Sequence, residues 1–187
     1  MDAGALAIGR ENSRLVEAAA AGDATAFDDL VRLHGEVIYR LALRMLGNPQ
    51  DAEDVQQETF LQAYRRLRSF RREAAFGTWL YAIAARLCLS KLRRRVHWQE
   101  ELTNDPPSDP RLDPQERIAS LASADRVQRA LRSLSPSDRL LIVLKYVESL
   151  SHEQIAQVLG CSPESSRSRL VRAKRLFREH YQALESA

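Results

Sequence analysis

An all-helical chain divided into two small domains is what three features of this sequence predict. Apolar residues recur at three- and four-residue spacing almost throughout its 187 residues, and the strict alternation of a half-buried strand is absent. Glycine and proline are sparse, seven of each, so few positions interrupt a helix. Four of the prolines (Pro106, Pro107, Pro110 and Pro114) fall in one acidic stretch, HWQEELTNDPPSDPRLDP, where no helix can continue. That stretch reads as a linker over 97–117. It separates a first domain over 13–96, preceded by a flexible tail over 1–12, from a second over 118–187.

Within the first domain a helix over Ser13–Ala21 stops at Gly22. Asp23 caps the next, which turns Ala26, Phe27, Leu30 and Val31 inward. An interruption near Gly35 is expected before the apolar run Val37–Leu46. Gly47-Asn48-Pro49 is a stop-and-restart signal: a C-terminal glycine, a capping asparagine, then proline at the first helical position. The helix it starts runs to about Leu67 and lines up Ala52, Val55, Thr59, Ala63 and Leu67 on one side. The loop RSFRREAAFG leads to a last helix from Thr78 to about Arg95. In the second domain, helices are predicted around Ala119–Leu131 and, started by proline, over Ser135–Val147. Ser151 with Gln154 three residues on forms a capping box, Ile155, Ala156, Val158 and Leu159 make a buried stripe, and Gly160 ends that helix. Cys161 is expected to plug the turn, and Ser162-Pro163 starts another helix. This is the helix-turn-helix layout.

Composition bounds what such a chain does. With 44% hydrophobic and 28% charged residues it is a globular protein. Net charge is only +3, so a nucleic-acid face requires local clustering of basic residues. No apolar run reaches the length of a membrane span, the start MDAGALAIGRENS lacks a signal pattern, and the cytoplasm is the expected setting. Cys88 and Cys161 are far apart with no ordered histidines around them, which argues against a zinc site and gives no reason for a disulfide. His34, His97, His152 and His180 are scattered, and no phosphate loop or nucleophile–base pair appears. Catalytic residues, a metal and a cofactor are therefore not expected.

Basic clustering is strongest on the last helix. At about 100° per residue, Ser166, Leu170, Ala173 and Phe177 share the core face. The opposite face carries Glu164, Ser168, Val171, Arg172 and Arg175, flanked by Arg167, Arg169, Lys174 and Arg178. Arginine suits guanine edges and phosphates, and Val171 suits a thymine methyl, so this face fits a major groove. A solvated amphipathic helix would mix both signs of charge, whereas Glu164 is the only acid here before Glu179.

The first domain separates its charges differently. The helix QDAEDVQQETFLQAYRRL shows Asp51, Asp54, Gln57, Glu58 and Leu61 opposite its buried stripe. Such a strip repels phosphate and suits docking to a protein; the helix dipole accounts for the acids near its start but not for Leu61. The segment that follows is basic and aromatic: Arg65, Arg66, Arg68, Arg71 and Arg72, then Phe70, Phe76, Trp79 and Tyr81, and finally Lys91 to Arg95. Basic residues mixed with aromatics suit single-stranded nucleic acid. For Trp79 a core position competes with a stacking role.

At these residues the chain resembles a known family. DAEDVQQETFLQAYRRL, FGTWLYAIAARLCLSKLRRR, LSPSDRLLIVLKYVESLSHEQIAQVLG and SSRSRLVRAK are similar, in order, to the motifs of the extracytoplasmic-function (ECF) sigma factors of bacteria. The resemblance covers about 15–177 and implies a non-enzymatic specificity subunit that binds core RNA polymerase, at its beta-prime clamp and beta flap, and promoter DNA. It also implies an anti-sigma factor as partner. Carried over residue by residue, it gives polymerase docking to Asp51, Asp54, Gln57, Glu58, Phe60 and Leu61. Capture of the "−10" strand falls to the loop Ser69–Phe76 (Ser69, Phe70, Arg71, Arg72, Phe76), with Trp79, Arg86, Lys91, Arg93, Arg94 and Arg95 on the helix after it. Reading of the "−35" duplex falls to Glu164, Ser165, Arg167, Ser168, Val171, Arg172 and Arg175, and the acidic linker would thread toward the RNA exit path. Two places depart from the family pattern. Arg86 and Ser90 stand where Asn and Asp are usual, and Ser165-Ser166 replace Thr-Val. A self-sufficient helix-turn-helix regulator with an N-terminal dimerisation domain is the main rival.

Overall fold

The computed structural model describes residues 3–70, 74–101 and 118–185, with side chains over 12–70, 74–95 and 125–185. Helix α1 (Ala3–Ala20) begins ten residues ahead of the expected Ser13, so most of the segment read as a flexible tail is helical. Its Ala, Leu and Ile favour a helix and no proline interrupts them; farther on, Asn12 Oδ1 lies 3.1 Å from His34 Nε2. Asp23 then caps α2 (Ala24–Leu46), accepting from the Ala26 amide at 3.2 Å. The interruption expected near Gly35 is not there. Gly35 is buried within a continuous helix, and its carbonyl accepts from Gln56 Nε2 at 2.9 Å. A Cβ at Gly35 would lie 3.1 Å from that nitrogen, so the glycine serves close packing between helices.

The stop-and-restart signal holds. Gly47 is left-handed (φ 67°), and Asn48 caps α3 (Pro49–Arg66) by accepting from the Asp51 amide at 3.0 Å. A short 3₁₀ turn (Leu67–Ser69) leads toward α4 (Phe76–Glu101), which outruns the predicted Thr78–Arg95 at both ends. Residues 97–101 of the predicted linker thus belong to a helix, because the first proline comes only at Pro106. The remainder, 102–117, lies outside the described residues. Helices α1 to α4 enclose Val16, Leu30, Ile38, Leu41, Met45, Val55, Leu80 and Ile83. Cys88 is buried with them; burial pushes its thiol up to about 12, which makes it an unreactive packing residue.

The second domain opens with α5 (Ile118–Arg132). Ser135 caps α6 (Pro136–Ile142), which widens into a π turn (Val143–Val147) where a plain helix was expected. Both bonds of the capping box form at α7 (His152–Leu159): the Gln154 amide donates to Ser151 Oγ at 3.2 Å, and the Ser151 amide to Gln154 Oε1 at 2.8 Å. Gly160 closes α7 in the left-handed region (φ 64°). Cys161 in the turn is half-buried. Ser162 Oγ then accepts from the Ser165 amide at the start of α8 (Pro163–Glu185). The two domains share one apolar cluster: α7 packs on α4, while α5, α6 and the π turn pack on α2.

Ser166 is fully buried where α8 meets the core, and its hydroxyl has no hydrogen-bond partner. An orphaned buried hydroxyl costs roughly 1–3 kcal/mol. Ser166→Ala removes it without adding volume and is expected to raise stability by about 1 kcal/mol. The measurement is a urea midpoint at unchanged slope; a lowered midpoint would mean that the hydroxyl is paired.

Candidate nucleic-acid and protein-docking surfaces

Helix α8 turns its two faces as its spacing predicts. Ser166, Leu170 and Ala173 are buried, and Phe177 is half-buried. Glu164, Arg167, Ser168, Val171, Arg172 and Arg175 are exposed, and Val171 is 72% exposed. An aliphatic side chain so exposed among arginines is what contact with a base methyl requires. Ser165 is half-buried at the cap. Local contacts orient part of this face. Arg167 pairs with Glu153 of α7 at 3.3 Å, Arg175 with Glu179 at 3.7 Å, and Ser168 Oγ donates to the Glu164 carbonyl at 3.0 Å. Both ion pairs are more than half exposed, so they cost little to exchange for phosphate.

On α3, Asp54, Gln57 and Leu61 are exposed and Glu58 is half-buried. Tyr64, one turn beyond Leu61 and 55% exposed, extends the strip; its three-residue spacing from Leu61 was a readable signal. Phe60 does not belong to it. It is 6% exposed and sits in the core with Val55 and Ala63, one helical step from the outward Leu61. Asp51 is also drawn inward, paired with Lys91 and Arg95 of α4, and Lys91 reaches Asp54 at 2.9 Å. A groove of about 500 Å³ between the helices is lined by Asp54, Glu58, Leu61, Leu87, Lys91 and Arg94.

The basic residues of α4 therefore serve two faces. Lys91 and Arg95 pair with carboxylates of α3, and Arg94 lines the same groove, so in this structure these three of the residues predicted to hold a strand stand on the α3 side of the helix. Arg86 and Arg93 remain exposed, about 20° apart around the helix at 100° per residue and close in angle to Trp79. Arg86 bends back to donate to the Ala82 carbonyl at 2.9 Å.

At the start of α4, Phe70, Phe76 and Trp79 form an aromatic cluster with centroids 4.9 to 5.8 Å apart. Phe76 is 6% exposed and is a floor for the cluster rather than a contact surface. His34 stands edge-on to it at 5.4 Å, and burial lowers the His34 pKa. Phe70 and Trp79 are half-buried and Ser69 is exposed. Arg71 and Arg72 lie outside the described residues. A cavity of about 490 Å³ opens beside the cluster, lined by Asn12, Phe70, Phe76, Thr78 and, from α7, Gln154 and Gln157. The two glutamines escaped the sequence reading because they reach this site only when the domains pack together.

Comparison with known proteins decides the family. Residues 30–97 match the family model Sigma-70 region 2, and residues 124–177 match Sigma-70, region 4. The ECF RNA polymerase sigma factor SigW of Bacillus subtilis is 33% identical over 174 residues, covering 87% of this chain and 92% of the relative. The chain belongs to the ECF sigma factor family. SigE of Mycolicibacterium smegmatis is 39% identical over 168 residues, 86% of this chain and 65% of that relative. The solved structure of CnrH in complex with the cytosolic domain of CnrY superposes with a TM-score of 0.72 at 26% identity, over 92% of this chain and 98% of that one. Family membership assigns this sigma factor to promoter-specific transcription initiation with RNA polymerase. No helix among the described residues is long and apolar enough to cross a membrane.

Burial of Phe60 has a measurable consequence. Phe60→Ala is expected to cost about 3–5 kcal/mol of stability, as large-to-small core changes do, whereas Leu61→Ala leaves stability nearly unchanged. Urea unfolding of both variants checks this; equal and small losses would put Phe60 on the surface.

Proposed function

We propose that this sigma factor acts as a non-enzymatic cytoplasmic specificity subunit with a separate surface for each partner. The α3 strip (Asp54, Gln57, Glu58, Leu61) docks the beta-prime clamp of core RNA polymerase, while the second domain meets the beta flap. Helix α8 reads the "−35" duplex through Arg167, Ser168, Val171 and Arg172. The segment Ser69–Phe76, with Trp79, Arg86 and Arg93, receives the opened "−10" strand. The observation that carries the reading is the outward face of α8: basic, with Val171 exposed, on a helix-turn-helix whose caps are complete. An anti-sigma factor as partner is supported by the likeness to CnrH, which was solved bound to CnrY. Arg86 and Ser90, in place of the usual Asn and Asp, predict a "−10" preference that differs from the family's common one.

Two experiments with reconstituted holoenzyme test these assignments. Reversing both Asp54 and Glu58 to Lys places like charge against a basic partner. Core-polymerase capture is expected to fall with helical circular dichroism unchanged, and undiminished capture removes α3 from the docking surface. For α8, a bidentate arginine–base contact is worth roughly 1–3 kcal/mol of discrimination. Arg172→Ala is therefore expected to relax preference at one or two adjacent upstream positions. Arg178→Ala is expected to weaken all sequences alike and lower the salt slope by about one. Binding to single-base promoter variants at several salt concentrations separates them; an equal shift of every variant by Arg172→Ala makes that residue a backbone contact.

A further inference from the structure

The acidic strip of α3 is neutralised from within the chain. Lys91 Nζ of α4 stands 2.5 Å from Asp51 Oδ1 and 2.9 Å from Asp54 Oδ2, so one ammonium bridges two carboxylates three residues apart. Arg95 takes the other oxygen of Asp51, and Arg94, exposed, lines the groove beside Glu58. Lys91, Arg94 and Arg95 thus stand against Asp51, Asp54 and Glu58, cation for acid. In that state the strip attracts a basic partner only weakly, although such a partner is what complementarity of charge demands.

The paired cations are not held equally. Arg95 also donates to the Leu46 carbonyl at 3.2 Å, which ties it to the end of α2. Among the described residues the Lys91 ammonium meets only the two carboxylates, and the Asp54 side chain is 63% exposed. Lysine carries its charge on a flexible four-carbon stem, so it can swing away while α4 stays in place, and so exposed a pair costs little to exchange. The groove of about 500 Å³ beside it is lined by Val55, Leu61 and Leu87 as well as by Asp54 and Glu58. Apolar lining that ends at carboxylates fits a long cationic side chain, its stem on the leucines and its head on the acids. Arginine fits best, because its planar fork gives two parallel bonds to one carboxylate and an ammonium does not.

We propose that Lys91 is a place-holder: it occupies the carboxylates of α3 in the free chain, and an arginine on the polymerase surface displaces it from Asp54 and Asp51 on docking. This rests on the α3 docking reading above. Lys91 then sets the affinity for core polymerase by competing for the acids, without touching the partner. A partner that offered lysine would exchange one ammonium for another and gain little, so the built-in competitor makes the site selective for arginine.

The test measures equilibrium binding of the fluorescein-labelled full chain to core RNA polymerase, without DNA, at several salt concentrations. Lys91→Met removes the charge and keeps the stem. It is expected to tighten binding about two- to fivefold and to steepen the salt dependence. Lys91→Arg grips the carboxylates with a fork of its own and is expected to weaken binding by a similar factor. In an Asp54→Asn background the gain from Lys91→Met is expected to shrink, because one of the two released acids is gone. Circular dichroism checks that each variant is folded; should Lys91→Met unfold the chain, Lys91→Arg, which retains the charge, carries the test. Equal or weaker binding by folded Lys91→Met overturns the place-holder, as does an undiminished gain in the Asp54→Asn background or tighter binding by Lys91→Arg. Core capture undiminished by reversal of Asp54 and Glu58 removes α3 from the docking surface, and this proposal with it.

Discussion

A helix end leaves its last carbonyls without partners, and at the end of α2 those carbonyls are taken by side chains from three other helices. Gly47, left-handed, closes the turn by donating its amide to the Leu43 carbonyl at 2.8 Å. The next four carbonyls, of Arg44, Met45, Leu46 and Gly47, accept from Gln128, Arg139, Arg95 and Arg132 in turn. Three guanidinium groups therefore meet the negative end of one helix dipole, the favourable sense for cations. Their crowding has a cost. Burial, and then the charge of Arg132, lower the pKa of both Arg95 and Arg139. Arg139 makes up for its desolvation by binding the end of α5 as well, so one buried side chain closes two helix ends. Gly47 is favoured by its backbone angle (φ 67°), and a Cβ there would displace the Arg132 guanidinium that binds its carbonyl.

That junction also sorts the charges of the first domain. Arg95 is held between the Leu46 carbonyl and Asp51, in the rotation of α4 that its buried face of Leu80, Ile83, Ala84 and Cys88 sets. With that rotation set, Lys91 faces Asp51 and Asp54, and Arg86 and Arg93 face away. An acidic strip with partly neutralised edges lies on one side of the domain and a basic, aromatic surface on the other. Under the roles proposed above, the side chains offered to a protein partner and those offered to a nucleic-acid strand are separate on the same four helices.

What was legible in the sequence is what is local. Asn48 and Pro49 after Gly47, Ser151 with Gln154, and Gly160 before Ser162 announce helix ends through contacts spanning a few residues, and each forms as read. The outer face of α8 was equally clear, because nothing packs over it. Adjacent residues on a helix edge were not: Phe60 and Leu61 differ by one step, and only the neighbouring helices decide which is buried. The two-sided use of the basic run of α4 was hidden for a related reason. Composition reveals an excess of arginine and lysine, but the partners of Lys91 and Arg95 lie some forty residues away on α3. Gly35 had the look of a breaker because its reason, the side chain of Gln56, comes from another helix. Arg139 gave no signal at all, since its partners are main-chain carbonyls.

The π turn shows how a local irregularity serves this long-range arrangement. A π turn adds one residue to a helical register, and one residue rotates everything after it by about 100°. Through Val143–Val147 the chain keeps Val143 and Leu144 in the core and still brings Glu148 round to Tyr81 and Arg40 of the first domain. The correction is completed one residue later by Ser149, which takes a left-handed backbone angle (φ 55°) that side chains other than glycine adopt infrequently. Lys145 then spans the bend to the Leu150 carbonyl at 3.1 Å, and α7 starts at its capping box. Irregular backbone, an uncommon dihedral and a half-satisfied buried carboxylate are thus gathered within seven residues at the domain junction, whereas the caps of α2, α3 and α7 are regular. Backbone departures from regular helix are thus concentrated between the two cores, and the helices on either side of them keep regular caps.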